Sequence, residues 1–216
     1  MLPVYLNIWA QRKAIDMKKE IKILAEASGR HVHLCEKDLK ALFGEDAEMQ
    51  PKRLLGDGGG GFVSQYSVFV VGKDGKESKC SVLGPLRKES QVEFSFTEAR
   101  AIGLLPVLGD SGVLEGTTPV TLRGEKATIT LDRGLFVARR HVHCCVKDAK
   151  ELGIKDGDRV CLRVEGPRAM VFDEAVAHVP PEFVPMTLSA FHVDYDEWNA
   201  AALFMDPHVY MSKYEN

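Results

Sequence analysis

The sequence has no long apolar run, no excess of basic charge and no even set of cysteines. No uninterrupted apolar stretch approaches the roughly 18 residues that span a bilayer, so we expect no transmembrane helix. The 28 lysines and arginines face 31 aspartates and glutamates, and no basic cluster predicts nucleic-acid binding. Five scattered cysteines argue against a disulfide framework and favour free thiols in a reducing compartment, the cytoplasm.

The composition is that of an ordinary globular protein. The 216 residues are 45% hydrophobic and 27% charged, which is enough for one or two compact units with buried cores. Residues 1–19 are less typical, because Leu2, Leu6 and Trp9 share one helical face and basic residues follow them. This extension lacks the pattern of a secretory signal. Two interpretations stay open: a short amphipathic docking helix, or an unstructured tail upstream of a true start at Met17.

The chain repeats itself. Residues 30–42, RHVHLCEKDLKAL, match residues 140–152, RHVHCCVKDAKEL, at 9 of 13 positions. Alternating apolar residues precede each copy, and an apolar spacing typical of a short helix follows it. The repeated unit is therefore a strand, a turn and a helix.

Each copy carries a His-x-His pair on its strand. Residues two apart in a strand point to the same side, so His31 and His33 present their imidazoles together, as do His141 and His143. Neutral imidazole favours zinc, copper, nickel or iron, and zinc is the default where nothing indicates redox chemistry. The two pairs predict metal binding. The alternative is that the histidines only form hydrogen bonds in a duplicated scaffold.

Two weaker copies of the unit supply further candidate ligands. When the segment that begins at Gln91 is laid over the segment that begins at His141, Glu93 falls on His143. A carboxylate is an acceptable zinc ligand, although Glu93 could also lie on a solvated strand face. A fainter copy offers the imidazole of His192.

Cysteines follow both His-x-His pairs. Cys35 and Cys145 lie two residues beyond them and could be soft ligands, but we favour a simpler place at the boundary between strand and helix. In the weaker copy, Ser95 and Glu98 form the pattern of a capping box, which predicts the start of a helix.

Several further motifs occur in a fixed order around these units. They are SGRHVH at 28–33, VLGPLR at 82–87, QVE at 91–93, Ser111-Gly112, RHVH at 140–143, GIKDGD at 153–158, and His192 with Asp194 and Asn199. With this set the chain resembles the PduL-type phosphate acyltransferases, or phosphate propanoyltransferases, over residues 20–205.

The resemblance implies a mainly β (α+β) fold of two β-barrel domains, capped by short helices and related by internal duplication. The implied divisions are an extension at 1–19, a discontinuous barrel domain at 20–29 and 139–208, a second barrel domain at 30–138 and a tail at 209–216. The second barrel domain carries a glycine-rich insertion near 54–65, where the four glycines Gly58 to Gly61 predict a flexible loop.

The activity implied by the resemblance is reversible transfer of a short acyl group between coenzyme A and inorganic phosphate, with two zinc ions per chain. The family's ligands for one zinc correspond to His31, His33 and Glu93, and those for the other to His141, His143 and His192. Its catalytic, phosphate-binding arginine corresponds to Arg87. Positions near the substrates correspond to Ser28, Lys52, Leu83, Ser111 and Asn199.

The chain departs from the family at Ser81, where an arginine is usual, and in the glycine-rich insertion. Two alternatives therefore stay open: a metal-assisted acyl-CoA thioesterase, or a non-catalytic zinc-binding cargo protein of a bacterial microcompartment. Family members in microcompartments are delivered by a short N-terminal helix, so residues 1–19 leave shell proteins open as partners. A homodimer is also open, and we expect the cytoplasm or a microcompartment lumen.

Overall fold

The computed structural model describes residues 19–56 and 61–214, which contain fourteen strands and four short α-helices. The strands are Ile21–Ser28 (β1), His31–His33 (β2), Pro51–Leu54 (β3), Phe62–Val71 (β4), Glu77–Gly84 (β5), Gln91–Glu93 (β6), Val107–Gly109 (β7), Thr118–Arg123 (β8), Thr128–Ala138 (β9), His141–His143 (β10), Arg159–Val164 (β11), Met170–His178 (β12), Ala190–Asp194 (β13) and His208–Lys213 (β14). The helices are Glu36–Phe43 (α1), Phe96–Ala101 (α2), Val146–Leu152 (α3) and Tyr195–Ala200 (α4), and Lys73–Gly75 forms a 3₁₀ turn.

Six strands from the middle of the chain form a closed barrel, which we call the central barrel. Strand β2 pairs with β5 and β6, β6 with β9, β9 with β8, and β4 with both β8 and β5. Strands β3 and β7 extend β4 and β9 outside the ring. The alternation of strand residues directs Val68, Val70 and Leu122 inward, where they are fully buried.

Six further strands form a second closed barrel, which we call the terminal barrel. They come from both ends of the described chain. Their order is β1, β13, β10, β12, β11 and β14. Its core includes Val142, Val160 and Phe191, all fully buried. The predicted mainly β fold of two barrels with short helices is confirmed.

The C-terminal residues differ from the expected tail at 209–216. Residues 209–213 belong to β14, and Val209 and Met211 are fully buried in the terminal barrel. Strand β14 pairs with both β1 and β11, so the barrel cannot close without it. The apolar alternation of this short strand places it in the core. The division of the chain into separate domains otherwise stays a prediction.

The two barrels have the same pattern of strand pairing, and each contains two copies of the unit of strand and helix. In each, a three-residue segment pairs parallel to one neighbour and antiparallel to a second strand that also leads into a helix. The unit of strand and helix thus occurs four times: β2 with α1, β6 with α2, β10 with α3, and β13 with α4. The predicted duplication and its two weaker copies correspond to these four units.

Two predicted features fall largely outside the described residues. Of the extension at 1–19 only Lys19 is described, and of the four-glycine run only Gly61. The docking helix and the flexible loop therefore stay predictions. Among the helices that are described, none is long and apolar enough to cross a membrane.

Candidate metal centres and their cavity

All four units pass from strand to helix in the same way. The N-cap residues of the helices are Cys35, Ser95, Cys145 and Asp194. The preferred interpretation of the two cysteines as boundary residues is confirmed, as is the capping box of Ser95 and Glu98. The residue two positions before each N-cap is a metal-ligating type in every unit: His33, Glu93, His143 and His192.

Antiparallel pairing brings the candidate ligands together. In the central barrel, β2 and β6 place His31 directly opposite Glu93. In the terminal barrel, β10 and β13 place His141 opposite His192. Opposed residues on such strands have Cβ atoms about 5 Å apart, which is within reach of a shared ion.

The central centre comprises His31, His33 and Glu93. One ligand atom from each lies within 4.8 Å of the others, and all three side chains are buried. His31 Nε2 is 3.6 Å from Glu93 Oε2. His31 Nδ1 donates to the carbonyl of Gly29 at 2.8 Å, which leaves Nε2 of the neutral ring as the atom with a free lone pair.

Glu93 is held in place by its neighbours. Gln91 Nε2 and Ser111 Oγ donate to Glu93 Oε1 at 2.7 Å and 2.9 Å, so Oε2 is the oxygen near His31. Burial by itself would raise the pKa of Glu93, but the imidazoles of His31 and His33 and the bond from Ser111 outweigh it, and the pKa is lowered. Sequence reasoning missed Gln91, although Gln91 occupies the place of the first histidine in its unit.

The terminal centre comprises His141, His143 and His192, whose ligand atoms also lie within 4.8 Å of one another. The ring centroids of His143 and His192 are 4.6 Å apart. His141 Nδ1 donates to the carbonyl of Arg139 at 2.9 Å, as His31 does to Gly29. Burial, with a contribution from His192, lowers the pKa of His141 to about 4, so its imidazole is neutral at neutral pH.

Both centres fit a divalent transition-metal ion. In the described part of the chain, two buried side-chain N or O atoms have no hydrogen-bond partner, His33 Nδ1 and His192 Nε2. One lies in each centre. Leaving a buried polar atom unpaired costs about 1–3 kcal/mol, which an ion bound at His192 Nε2 would offset. Burial lowers the pKa of His33 to about 3, and a neutral imidazole is the form that binds metal.

Arg87 lies beside the central centre. Its Nη2 donates to His33 Nε2 at 3.2 Å, and its Nη1 donates to Ser111 Oγ at 3.3 Å. Its backbone N–H donates to the carbonyl of Leu34, which joins the Arg87 segment to the end of β2. A half-buried guanidinium therefore faces the cluster that also holds Glu93.

Both centres line one cavity of about 790 Å³. Of the residues predicted near the substrates, Ser28, Leu83, Arg87 and Ser111 line this cavity, whereas Lys52 and Asn199 do not. Sequence reasoning missed several residues that do: Glu26, Arg30, Arg53, His178 and Tyr195. Of these, only Arg30 could have been predicted from the sequence, because it directly precedes a His-x-His pair.

Comparisons with known proteins give one consistent result. A family model described as phosphate propanoyltransferase matches residues 24–204. Proteins named phosphate propanoyltransferase are similar over most of their length. The one from Thermotoga maritima is 40% identical over 199 residues, which is 92% of each chain. The one from Sebaldella termitidis is 39% identical over 83% of this chain and 82% of its own, and that from Enterococcus faecalis 37% identical over 93% of each.

Proposed function

The chain belongs to the phosphate propanoyltransferase family, and on that premise we propose that it transfers a short acyl group reversibly between coenzyme A and inorganic phosphate. The observation that carries this proposal is the meeting of two metal-competent centres and Arg87 in one cavity. The volume of this cavity, about 790 Å³, lies within the usual range of ligand-binding pockets.

Two zinc ions per chain fit the ligand sets. His31, His33 and Glu93 would hold one ion, and His141, His143 and His192 the other. Zinc, when bound, supplies positive charge that stabilises a carbonyl oxygen, a phosphate oxygen or a leaving thiolate.

Arg87 binds and orients phosphate. A guanidinium donates two parallel hydrogen bonds to a phosphate, which fixes both its position and its direction. Ser111, bonded to Arg87 and to Glu93, keeps the guanidinium next to the central centre. Holding phosphate in line with the acyl carbon converts a bimolecular attack into an effectively unimolecular one.

The proposed chemistry is direct transfer. A phosphate oxygen forms a bond to the acyl carbon, the carbon–sulfur bond breaks, and the electron pair leaves with the thiolate of coenzyme A. Burial raises the pKa of the Cys80 thiol to about 12 and that of Cys144 to about 11, so neither supplies a thiolate for a covalent intermediate at neutral pH.

Positive side chains also line the cavity, and we assign them to the phosphates of coenzyme A. Arg30 and Arg53 lie on its wall together with Ser28 and Leu83. The arginine that the family usually has at Ser81 is missing here, and Arg53 offers a cation in the same cavity. Lys52 and Asn199 stay predicted substrate contacts that lie outside this cavity.

The test is release of free thiol from propanoyl-CoA with and without phosphate, together with elemental analysis of the purified protein. Thiol release that requires phosphate and yields acyl phosphate, with two zinc ions per chain, supports the proposal. Thiol release without phosphate would instead identify a thioesterase. Bound zinc without turnover of any short acyl-CoA would identify a non-catalytic zinc protein.

We also propose that residues 1–19 deliver the chain to a microcompartment. The basis is the amphipathic pattern of these residues. Deleting residues 1–16 should abolish co-localisation with shell proteins and leave acyl transfer intact. Unchanged encapsulation of the shortened chain would contradict this targeting role of residues 1–19. A homodimer stays a separate proposal, tested by the mass of the protein in solution.

A further inference from the structure

Arg87 lies on a loop, residues 85–90, whose two ends flank the last histidine of a His-x-His pair. The loop follows β5, where Leu83 is the parallel partner of His33, and it leads into β6, where Gln91 is the antiparallel partner of the same histidine. It thereby carries the Arg87 guanidinium to 3.2 Å from His33 Nε2. We call this segment the Arg87 loop.

The terminal barrel has a loop in the equivalent position. Residues 179–189, which we call the proline loop, follow β12, where His178 is the parallel partner of His143. They lead into β13, where Ala190 is the antiparallel partner of His143. The internal duplication therefore places one such loop beside each centre, and both loops reach the same cavity.

A serine at the end of each loop supports this equivalence. Ser90 and Ser189 each accept a hydrogen bond from the backbone N–H of a helix N-cap residue, at 2.9 Å and 3.0 Å, and each donates one to an aspartate of that helix at 2.6 Å. The proline loop is also held near its middle, where Glu182 Oε1 accepts from Lys150 Nζ at 2.6 Å. Three prolines further restrict its backbone.

The two loops present different chemistry to the cavity. The Arg87 loop contributes a cation, whereas the proline loop, every residue of which is described, contributes Val184 and Met186 alone. Both of these apolar side chains are half-buried. The N–H of Met186 donates to the carbonyl of Val184 at 2.8 Å, so a short turn holds the two residues together. The proline loop thus offers a small, fixed apolar surface.

The acyl group of the substrate needs an apolar surface away from phosphate. When a phosphate oxygen attacks, the acyl carbon carries an oxygen, the sulfur and the alkyl chain, and the chain is its only apolar substituent. Phosphate bound by Arg87 makes one side of the cavity polar. Val63 and Leu83 are also apolar, but they lie opposite each other in the same barrel as Arg87. The proline loop is the apolar surface that the other barrel supplies.

We propose that Val184 and Met186 form the pocket for the acyl chain. The sizes of these two side chains then set the chain length that the protein accepts, because a hydrophobic pocket discriminates between chains that differ by one methylene. Phosphate is bound through the loop of one barrel and the acyl chain through the equivalent loop of the other. This inference rests on the proposed acyl transfer.

The experiment compares kcat/KM for acetyl-, propanoyl-, butanoyl- and hexanoyl-CoA, measured as phosphate-dependent thiol release by the full-length protein. Met186→Ala should raise the ratio of hexanoyl-CoA to propanoyl-CoA at least about 10-fold, because the shorter side chain lengthens the pocket. Val184→Phe should lower the ratio of butanoyl-CoA to acetyl-CoA about 10-fold, because the larger side chain shortens it.

Leu188→Ala is the matched control. Leu188 lies on the same loop, is 71% exposed and is not among the described residues that line the cavity. Its ratios should equal those of wild type. A ratio reports specificity and not folding, because a loss of folded protein lowers both kcat/KM values equally. If Met186→Ala does not fold, Val184→Ala decides, since it also enlarges the pocket.

Three results would overturn the inference and leave the proposed function standing. The first is unchanged ratios in both Met186→Ala and Val184→Phe. The second is a shift in Val63→Ala instead, which would place the acyl chain against the central barrel. The third is an equal shift in Leu188→Ala, which would show a general loosening of the loop.

The proposed function has a separate readout. Thiol release without phosphate, with the shifted ratios retained, would overturn transfer to phosphate and leave the acyl pocket standing. If no thioester is turned over, calorimetric titration with the same four thioesters measures how Kd depends on chain length. A length dependence of Kd that is the same in wild type and Met186→Ala would then overturn the inference.

Discussion

The side-chain amide of Gln91 donates a 2.7 Å hydrogen bond to Glu93 Oε1, two residues further along the same strand. The Oε1 of Gln91 in turn accepts from the backbone N–H of Gly112 at 3.2 Å, so the amide is fixed at both ends. Gln91 is fully buried, and it thereby determines which oxygen of Glu93 faces His31. Side chains that orient metal ligands in this way contribute to metal affinity without touching the ion.

We expect Gln91→Leu to weaken zinc binding at the central centre about 10- to 100-fold, because Glu93 loses the donor that orients it. The terminal centre should be unaffected, so zinc titration should show one ion weakened and one unchanged. Gln65→Leu is the matched control, since Gln65 bonds loop backbone and does not line the cavity. Equal weakening of both ions, or none, would contradict the role given to Gln91.

Arg87→Lys should lower kcat/KM for phosphate about 100-fold or more while zinc content stays the same. Lysine keeps the charge but cannot donate two parallel hydrogen bonds to one phosphate. Steady-state kinetics with phosphate as the varied substrate measures the effect. Arg123→Lys serves as control, because Arg123 pairs with Glu77 and does not line the cavity. If Arg87→Lys showed the same dependence on phosphate as wild type, Arg87 would not be a phosphate-binding residue.

The stability of the metal-free protein should fall on acidification between about pH 6.5 and pH 4. Burial lowers the pKa of His33 to about 3 and that of His141 to about 4. The unfolded state then binds protons that the folded state does not, so the free energy of unfolding rises with pH across this window. Each histidine contributes a slope of up to about 1.4 kcal/mol per pH unit.

Urea denaturation of the metal-free protein at several pH values measures this slope. His33→Asn should reduce it by removing one of the two titrating groups. The same slope in wild type and His33→Asn would show that His33 is not held neutral by burial.

In each barrel a buried serine bridges the N-cap N–H of a helix and an aspartate of that helix. We expect this serine bridge to stabilise the fold without changing the metal content. Ser189 Oγ accepts from the Cys145 N–H and donates to Asp148 Oδ2 at 2.6 Å. Ser90 makes the same two bonds in the central barrel. Because both serines are buried, we expect Ser189→Ala to lower the free energy of unfolding by about 1–3 kcal/mol.

Ser90→Ala is the matched variant and should cost about the same amount, with two zinc ions retained in each. Denaturation and elemental analysis give both readouts. Loss of zinc at unchanged stability would show that the bridge acts on the ligands and not on the start of the helix.

The local parts of the candidate site were predictable from the sequence. A His-x-His pair followed by a helix start is contained within a few residues, so strand alternation alone places both imidazoles on one side. The same local signals predicted the N-cap positions of Cys35 and Cys145, and the overlay of repeats found Glu93. Each of these inferences needs only short segments of the sequence and no knowledge of how the chain folds.

Contacts across the barrels were not predictable in this way. Glu26 and His178 lie on strands that carry no recognisable motif, and only the pairing of β1 with β13 and of β12 with β10 brings them to the terminal centre. The burial of β14 depends likewise on its two neighbours, so residues after 208 read as a tail.

The amino-acid sequence by itself thus determined the repeated unit, the identity of six candidate ligands and the family to which the chain belongs, because these are properties of short segments and their order. The tertiary structure alone decided which candidate ligands meet, which oxygen of Glu93 lies near His31 and which residues flank each centre. The physical reason is that closure of a barrel sets the register between strands far apart in the chain, and that register is fixed by packing of the whole core.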